Sequence, residues 1–407
     1  MAEIIVDILY IFFAAVTTYF MLIFLLLFRR NKNQLNLTPA LLRLPSVSLI
    51  VPAYNEQDTI SDTLKSLGML DYPKDKLEII VVDDGSTDAT YKIAKQFKSV
   101  KVLHKENGGK ATALNFGLSK SRGEIVACVD SDSHPLPDAL LKSIPFFNDK
   151  SVAGVTTSIF ANKPKGLLET LQWLEYAMIV WSRKLLEFLD AVYVTPGPLS
   201  LYRKDVLQKV GGFDTKNMTE DIEIAWRLLS RGYKIKMAAE AKTYTSIPTK
   251  FKAWWRQRIR WNIGGMQTMM KYKYTFTKGN YGILSSFIWP FFSLSYVLSV
   301  VGFGLFIYLI FKSVSNQLSF VVQASMIGVN PLKHWQFWIV PDIFTIFGIL
   351  VFILSIVWIK ISLDLTKEKN KPKNPFDYFV YLTFYITVFP INLVHSIWRY
   401  MTKNFKW

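Results

Sequence analysis

One cysteine, Cys128, and four histidines, at 104, 134, 334 and 395, are all this 407-residue chain offers of the side chains used most for redox and zinc chemistry. A lone thiol excludes an internal disulfide framework, and Cys128 lies within an apolar run, where a buried structural thiol is expected. The scattered histidines give no zinc-ligand cluster and no Ser/His/Asp or Cys/His constellation for a covalent intermediate. No internal repeat or low-complexity tract is present. Acidic residues are few, 31 against 48 Lys and Arg, leaving a net charge of +17. That excess suits nucleic acid, anionic lipid or a phosphorylated small molecule. No nucleic-acid-binding module accompanies it, so nucleic acid is not an expected partner.

What the chain has in abundance is apolar: 51% of its residues are hydrophobic and 15% aromatic. Residues 4–28, 283–311, 337–359 and 376–398 each reach the roughly 20 residues a bilayer core demands, predicting four membrane spans. The first is no signal peptide, because it lacks a basic start and Arg29 and Arg30 follow it. Lys and Arg cluster after the first span and at 360–373 between the last two. The positive-inside rule therefore puts residues 31–282 in the cytoplasm of an integral protein of the cell membrane. Lipid is then the first partner for the basic charge. An even span count places the tail outside, against its Arg399, Lys403 and Lys406, so the tail's side stays open.

Between the spans, apolar strands alternate with helices. Strands are expected at 47–52, 77–82, 100–103 and 125–129, helices at 58–70, 89–98 and 110–121. This alternation predicts an α/β domain with a mostly parallel sheet covered on both faces, whose ligand crevice lies past the carboxyl ends of the strands. After residue 138 the pattern changes. Residues 166–189 and 251–274 read as amphipathic interfacial helices, the second basic and tryptophan-rich. The expected division is a membrane helix at 1–30, a cytoplasmic domain at 46–250, an interfacial region at 251–282 and a three-span region at 283–407.

Polar groups stand at the predicted strand ends. Asp130-Ser131-Asp132 can turn two carboxylates toward one divalent cation, which would neutralise a diphosphate leaving group; alone, such a triplet usually marks a solvated turn. Asp83-Asp84 can accept from a pyrimidine N–H while Tyr54 offers a ring face, or simply cap the next helix. Gly108-Gly109-Lys110 before a helix resembles a phosphate cradle, but lacks the earlier Gly and the following Ser or Thr of a P-loop. Thr219-Glu220-Asp221 opens a periodic helix, as a cap or with Asp221 as a general base. Gln257, Arg258, Arg260 and Trp261 are either the basic face of an interfacial helix or a diphosphate clamp with a sugar-stacking ring. The turn at Gly197 is a structural loop or an acceptor contact.

In their order and spacing, Pro52-Ala-Tyr-Asn-Glu56, Asp83-Asp84-Gly-Ser86, Gly109-Lys110, Asp130-Ser-Asp132, Thr219-Glu-Asp221 and Gln257-Arg-Ile-Arg-Trp261 resemble the family 2 inverting glycosyltransferases. The likeness covers residues 46–282. It is nearest the membrane-embedded processive branch, which makes cellulose, chitin oligosaccharides, hyaluronan and poly-N-acetylglucosamine. The resemblance implies a GT-A type fold and a nucleotide-sugar donor, most often UDP-linked. Tyr54, Glu56 and Asp84 would hold the nucleoside, and Lys110 would approach the nucleotide. Asp130 would meet the ribose and the metal, and Asp132 the metal, Mg2+ or Mn2+. Asp221 would be the base. Gln257, Arg258 and Arg260 would close over the diphosphate, with Trp261, Gly197 and Glu220 at the acceptor.

The implied product is a β-linked polysaccharide. The rival is a single transfer to a lipid acceptor such as a polyprenyl phosphate or glycolipid. A third reading, a scaffold with a decayed transferase domain, is opposed by the intact carboxylates. Gly197-Pro-Leu-Ser looks more like hyaluronan synthases and Thr219-Glu-Asp more like cellulose and poly-N-acetylglucosamine synthases, leaving the sugar open. Four spans are few for a polymer channel. Export would draw on the interfacial helices, a second copy in a homo-oligomer or an accessory export subunit, or would not occur.

Overall fold

The computed structural model describes residues 2–328, 330, 343–366, 368, 372 and 374–405. An apolar helix, α1 (Ala2–Asn31), leads to an alternating series: β1 (Val47–Ala53), α2 (Ile60–Gly68), β2 (Leu77–Asp83), α3 (Thr90–Ala94), β3 (Val100–His104), α4 (Lys110–Lys120) and β4 (Ile125–Cys128). The four strands pair in parallel in the order β3-β2-β1-β4. Period-two geometry sends alternate side chains to opposite faces. Leu49, Val51, Ile79, Val81 and Ala127 pack with Ile60, Leu64 and Leu67 of α2, whereas Ile50, Ile80, Val126 and Cys128 pack with Leu114 and Leu118 of α4. Both faces are thus dry, and Cys128 is a buried core thiol.

The sheet then continues differently. β5 (Ser133–Pro135), α5 (Ala139–Ser143), β6 (Val152–Ala161), α6 (Leu167–Glu187), β7 (Ser200–Arg203), α7 (Lys204–Lys209), α8 (Glu220–Ser230) and β8 (Lys234–Thr245) follow. The complete order is β3-β2-β1-β4-β7-β6-β8-β5, with β4·β7, β6·β7 and β5·β8 antiparallel. The sheet is therefore mixed, parallel in its first half.

α9 (Phe251–Lys271) and α10 (Lys273–Lys278) lead to α11 (Trp289–Met326), α12 (Ile343–Thr366) and α13 (Pro375–Met401). Among the described residues three helical stretches, Val6–Gln34, Leu284–Met326 and Pro375–Met401, are long and apolar enough to cross a membrane. The remaining expected span begins at 337, outside the described residues, and its described part is helical in α12.

α6 corrects one expectation. Its polar stripe does not face a membrane surface: Gln172, Glu175, Arg183 and Glu187 are buried, and the helix packs on β6, α12 and α13. The stripe turns inward because most of it finds partners there. Gln172 donates to the Pro248 carbonyl at 2.8 Å, Glu175 pairs with Arg258, and Glu187 pairs with Lys184.

Candidate active site

Because β1, β2 and β4 run the same way, their carboxyl ends open on one edge. Tyr54 and Glu56 follow β1, Asp84 follows β2, and Asp130 and Asp132 follow β4. Between the first two, Asn55 sits at φ 55°, a left-handed conformation that asparagine tolerates better than most residues. Its side-chain oxygen accepts from Thr87 N at 2.8 Å, which fixes the turn.

Asp84 organises the glycine loop. Its carboxylate accepts from Gly109 N at 2.7 Å, Gly108 N at 3.2 Å and Lys105 Nζ at 2.6 Å. These N–H groups are satisfied inside the protein, so the phosphate cradle expected at Gly108-Gly109 is not present; the loop is instead held to β2. Asp83 is fully buried with its Oδ2 2.6 Å from His104 Nδ1.

The second group centres on Lys110, the first residue of α4. Its Nζ lies 2.6 Å from Asp130 and 3.0 Å from Glu220. The two carboxylates outweigh its burial and raise the ammonium above its usual range. Glu220 corrects an expectation: it does not line the cavity described below but grips Lys110 from behind. Despite burial, Lys110 holds the Glu220 carboxyl below its ordinary value. Asp130 N donates to the Gly197 carbonyl at 3.1 Å. A Cβ on Gly197 would stand 2.5 Å from Lys110 Nζ and 2.6 Å from Asp130 Oδ2, so a larger residue would have to displace that ion pair.

Asp132 is pushed up to about 6, first by burial and then by the charges of Asp130 and Glu56. Among the described residues no three His, Cys, Asp or Glu converge as a complete metal cage. Asp130 and Asp132 offer hard oxygen donors whose mutual repulsion a divalent cation would relieve, and such ions commonly complete their shell with substrate phosphates. The donor set therefore fits.

Asp221 stands in the first turn of α8 with Oδ1 accepting from Ile222 N at 2.9 Å. Burial, then the neighbouring Glu220 charge, pushes its carboxyl up to about 6. A carboxylate tuned toward neutrality can take a proton from a hydroxyl while remaining mostly ionised at pH 7.

α9 contributes Gln257, Arg260 and Trp261 to the cavity but not Arg258. Arg258 is 1% exposed and paired with Glu175 of α6, whose other donor is Tyr385 of α13 at 2.6 Å. Its guanidinium also lies 4.2 Å from the Trp261 ring centroid. The expected diphosphate contact is corrected for this residue. Helical spacing turns Arg258 toward α6 and α13, where it joins three helices and backs the Trp261 ring.

Tyr54, Glu56, Asp84, Lys110, Asp130, Asp132, Gly197, Asp221, Gln257, Arg260 and Trp261 all face one cavity of about 830 Å³. It continues between the apolar helices, past Phe292 and Tyr296 of α11 and Phe389 of α13. Tyr176 and Arg183 of α6 and Tyr193 also line it, and no local motif announced them. Their signal was the i, i+7 spacing of Tyr176 and Arg183, which sets both on one helix face.

Residues 48–211 match the family model described as glycosyl transferase family 2. The chain is 35% identical over 234 residues to the poly-beta-1,6-N-acetyl-D-glucosamine synthase of Staphylococcus aureus, covering 56% of each protein. It is 33% identical over 246 residues to the "Probable glycosyltransferase YdaM" of Bacillus subtilis, covering 58% of this chain and 59% of that one. The chain thus spans a little over half the length of the curated relatives it matches. Among solved structures, a mannosyltransferase from Pyrobaculum calidifontis, in complex with GDP-Man and Mn2+, aligns over 97% of this chain and 99% of its own. The TM-score is 0.60 at 21% identity, so the two share their fold. The chain carries a family 2 glycosyltransferase domain of GT-A fold, homologous to the polysaccharide synthase.

Proposed function

We propose that this chain is an inverting, divalent-metal-dependent transferase that moves a sugar from a nucleotide donor onto a growing β-linked polysaccharide. The donor is UDP-linked, and the sugar is N-acetylglucosamine, the unit named in the homologous synthase. The observation that carries this reading is the single cavity in which Asp130, Asp132 and Asp221 meet and which runs on between apolar helices. The carboxylates suit the donor end and the helix-lined end suits an extended acceptor.

In this reading Tyr54, Glu56 and Asp84 hold the nucleoside, Asp84 from the position that Gly108 N, Gly109 N and Lys105 Nζ fix. Asp130 and Asp132 hold the cation, Mg2+ or Mn2+, whose contribution is to neutralise charge on the diphosphate. Lys110 fixes Asp130, while Arg260 and Gln257 face the phosphates. Asp221 accepts the proton of the attacking hydroxyl. The new C–O bond forms as the bond to the diphosphate breaks, and the electron pair leaves with the nucleoside diphosphate. One displacement inverts the anomeric carbon and needs no protein nucleophile. Alignment of hydroxyl and anomeric carbon is worth effective molarities on the order of 10⁵–10⁸ M.

The domain division is read as 1–30, 46–250, 251–282 and 283–407, with the catalytic domain on the cytoplasmic side of the cell membrane, where nucleotide sugars are made. Export would use a second copy or an accessory subunit. Purified protein incubated with radiolabelled nucleotide sugars and Mn2+ tests the reading. A labelled polymer supports it. A single labelled sugar on an added polyprenyl phosphate supports the rival instead, and no incorporation from any donor overturns both.

A further inference from the structure

Arg183 is buried, 6% exposed, and lines the cavity from α6. Among the described residues neither its Nε nor its Nη1 has a hydrogen-bond partner. The contrast with the other cations nearby is plain. Lys110 is held by two carboxylates, Arg258 is paired with Glu175, and Arg260 is exposed to solvent. A buried donor left unsatisfied costs about 1–3 kcal/mol, and more when charged. An arginine kept only for packing would be expected to carry a partner as Arg258 does.

The groups acting on Arg183 are Tyr193, Asp221 and Tyr176. Burial lowers its guanidinium to about 10, so it remains a charged donor at neutral pH. Arg183 and Asp221 line the same cavity, the space through which an attacking molecule must reach the base. Guanidinium is a planar fork with donors only, which matches paired oxygens such as neighbouring hydroxyls of a sugar ring. Tyrosine rings offer flat apolar faces of the kind that sugar C–H groups cover. Tyr176 and Tyr193 both line the cavity.

We propose that Arg183, with Tyr176 and Tyr193, forms an acceptor subsite in which the free N–H groups bind oxygens of the acceptor saccharide and hold its hydroxyl against Asp221. The inference rests on the transferase reading above and assigns the acceptor contact to α6, a helix outside every motif of the sequence. Arg183 here is a substrate-binding residue, separate from the donor machinery at Asp130 and Asp132.

The test uses the full chain in nanodiscs with UDP-N-acetylglucosamine, Mn2+ and a β-1,6-linked N-acetylglucosamine tetrasaccharide. In R183A the acceptor KM rises at least about tenfold, and the ratio of transfer to donor hydrolysis falls by a similar factor. UDP affinity stays within about twofold, which certifies the fold. R183K does not recover the loss, because an ammonium lacks the fork, whereas added methylguanidinium partly restores R183A. Binding of the tetrasaccharide, followed by saturation-transfer NMR without turnover, weakens in R183A. Unchanged acceptor KM and tetrasaccharide binding overturn the subsite, as does an equal loss of UDP affinity. Selective binding of polyprenyl phosphate in place of the tetrasaccharide, lost in R183A, also overturns it. If the unsubstituted protein transfers no sugar yet binds the tetrasaccharide through Arg183, the transferase reading fails and the subsite stands.

Discussion

Gly264 of α9 lies against Thr219, the residue that opens α8, so closely that a Cβ on the glycine would stand 2.7 Å from the threonine Cβ. The helix carrying Gln257 and Trp261 is thereby packed onto the turn that carries Asp221. Gly264→Ala must push the two helices apart. We expect transfer to fall at least about tenfold and stability to drop by about 1–3 kcal/mol, as overpacking usually costs. Activity and the melting temperature in detergent check this.

Arg258 and Glu175 form a buried pair shared with Tyr385. Removing one partner leaves an uncompensated charge, a loss of about 3–5 kcal/mol. Arg258→Met or Glu175→Leu should therefore lower the unfolding temperature sharply, while the double substitution recovers part of it. A clamp that touched the diphosphate would instead show normal stability and weakened UDP binding.

Asp221 works as a base only when ionised. Its carboxyl, pushed up to about 6 by burial and Glu220, gives a rate that climbs with pH through about 6 and then levels, well above the ordinary aspartate range near 4. Asp221→Asn should be slower by about 10²–10⁴-fold and lose this limb. Glu220→Gln removes the repelling charge, so the limb of an otherwise active enzyme should move to lower pH. A pH–rate profile for the three proteins decides.

The parallel half of the sheet was legible because β1, β2 and β4 are short apolar runs ending in acidic turns. β6 and β8 were not. Thr156, Thr157 and Ser158 interrupt the apolar run of β6, yet all are buried, and the Thr157 and Ser158 hydroxyls are satisfied by the Leu199 and Ala239 carbonyls. β8 carries Lys234, Lys236 and Lys242, and reads as polar until Asp190 and Glu368 are seen to neutralise them. The carboxylates of the site are legible at the strand ends. Arg258 and Arg260 are not separable in sequence, because which face of α9 meets the cavity depends on α6 and α13.

Calorimetric titration of UDP into the purified protein, with and without Mn2+, tests whether Asp130 and Asp132 grip a nucleotide diphosphate through a shared cation. Binding should require the metal in the unsubstituted protein and fall at least about tenfold in Asp132→Asn. Equal UDP affinity without the metal, or an Asp132→Asn protein that binds metal and nucleotide as before, would contradict it.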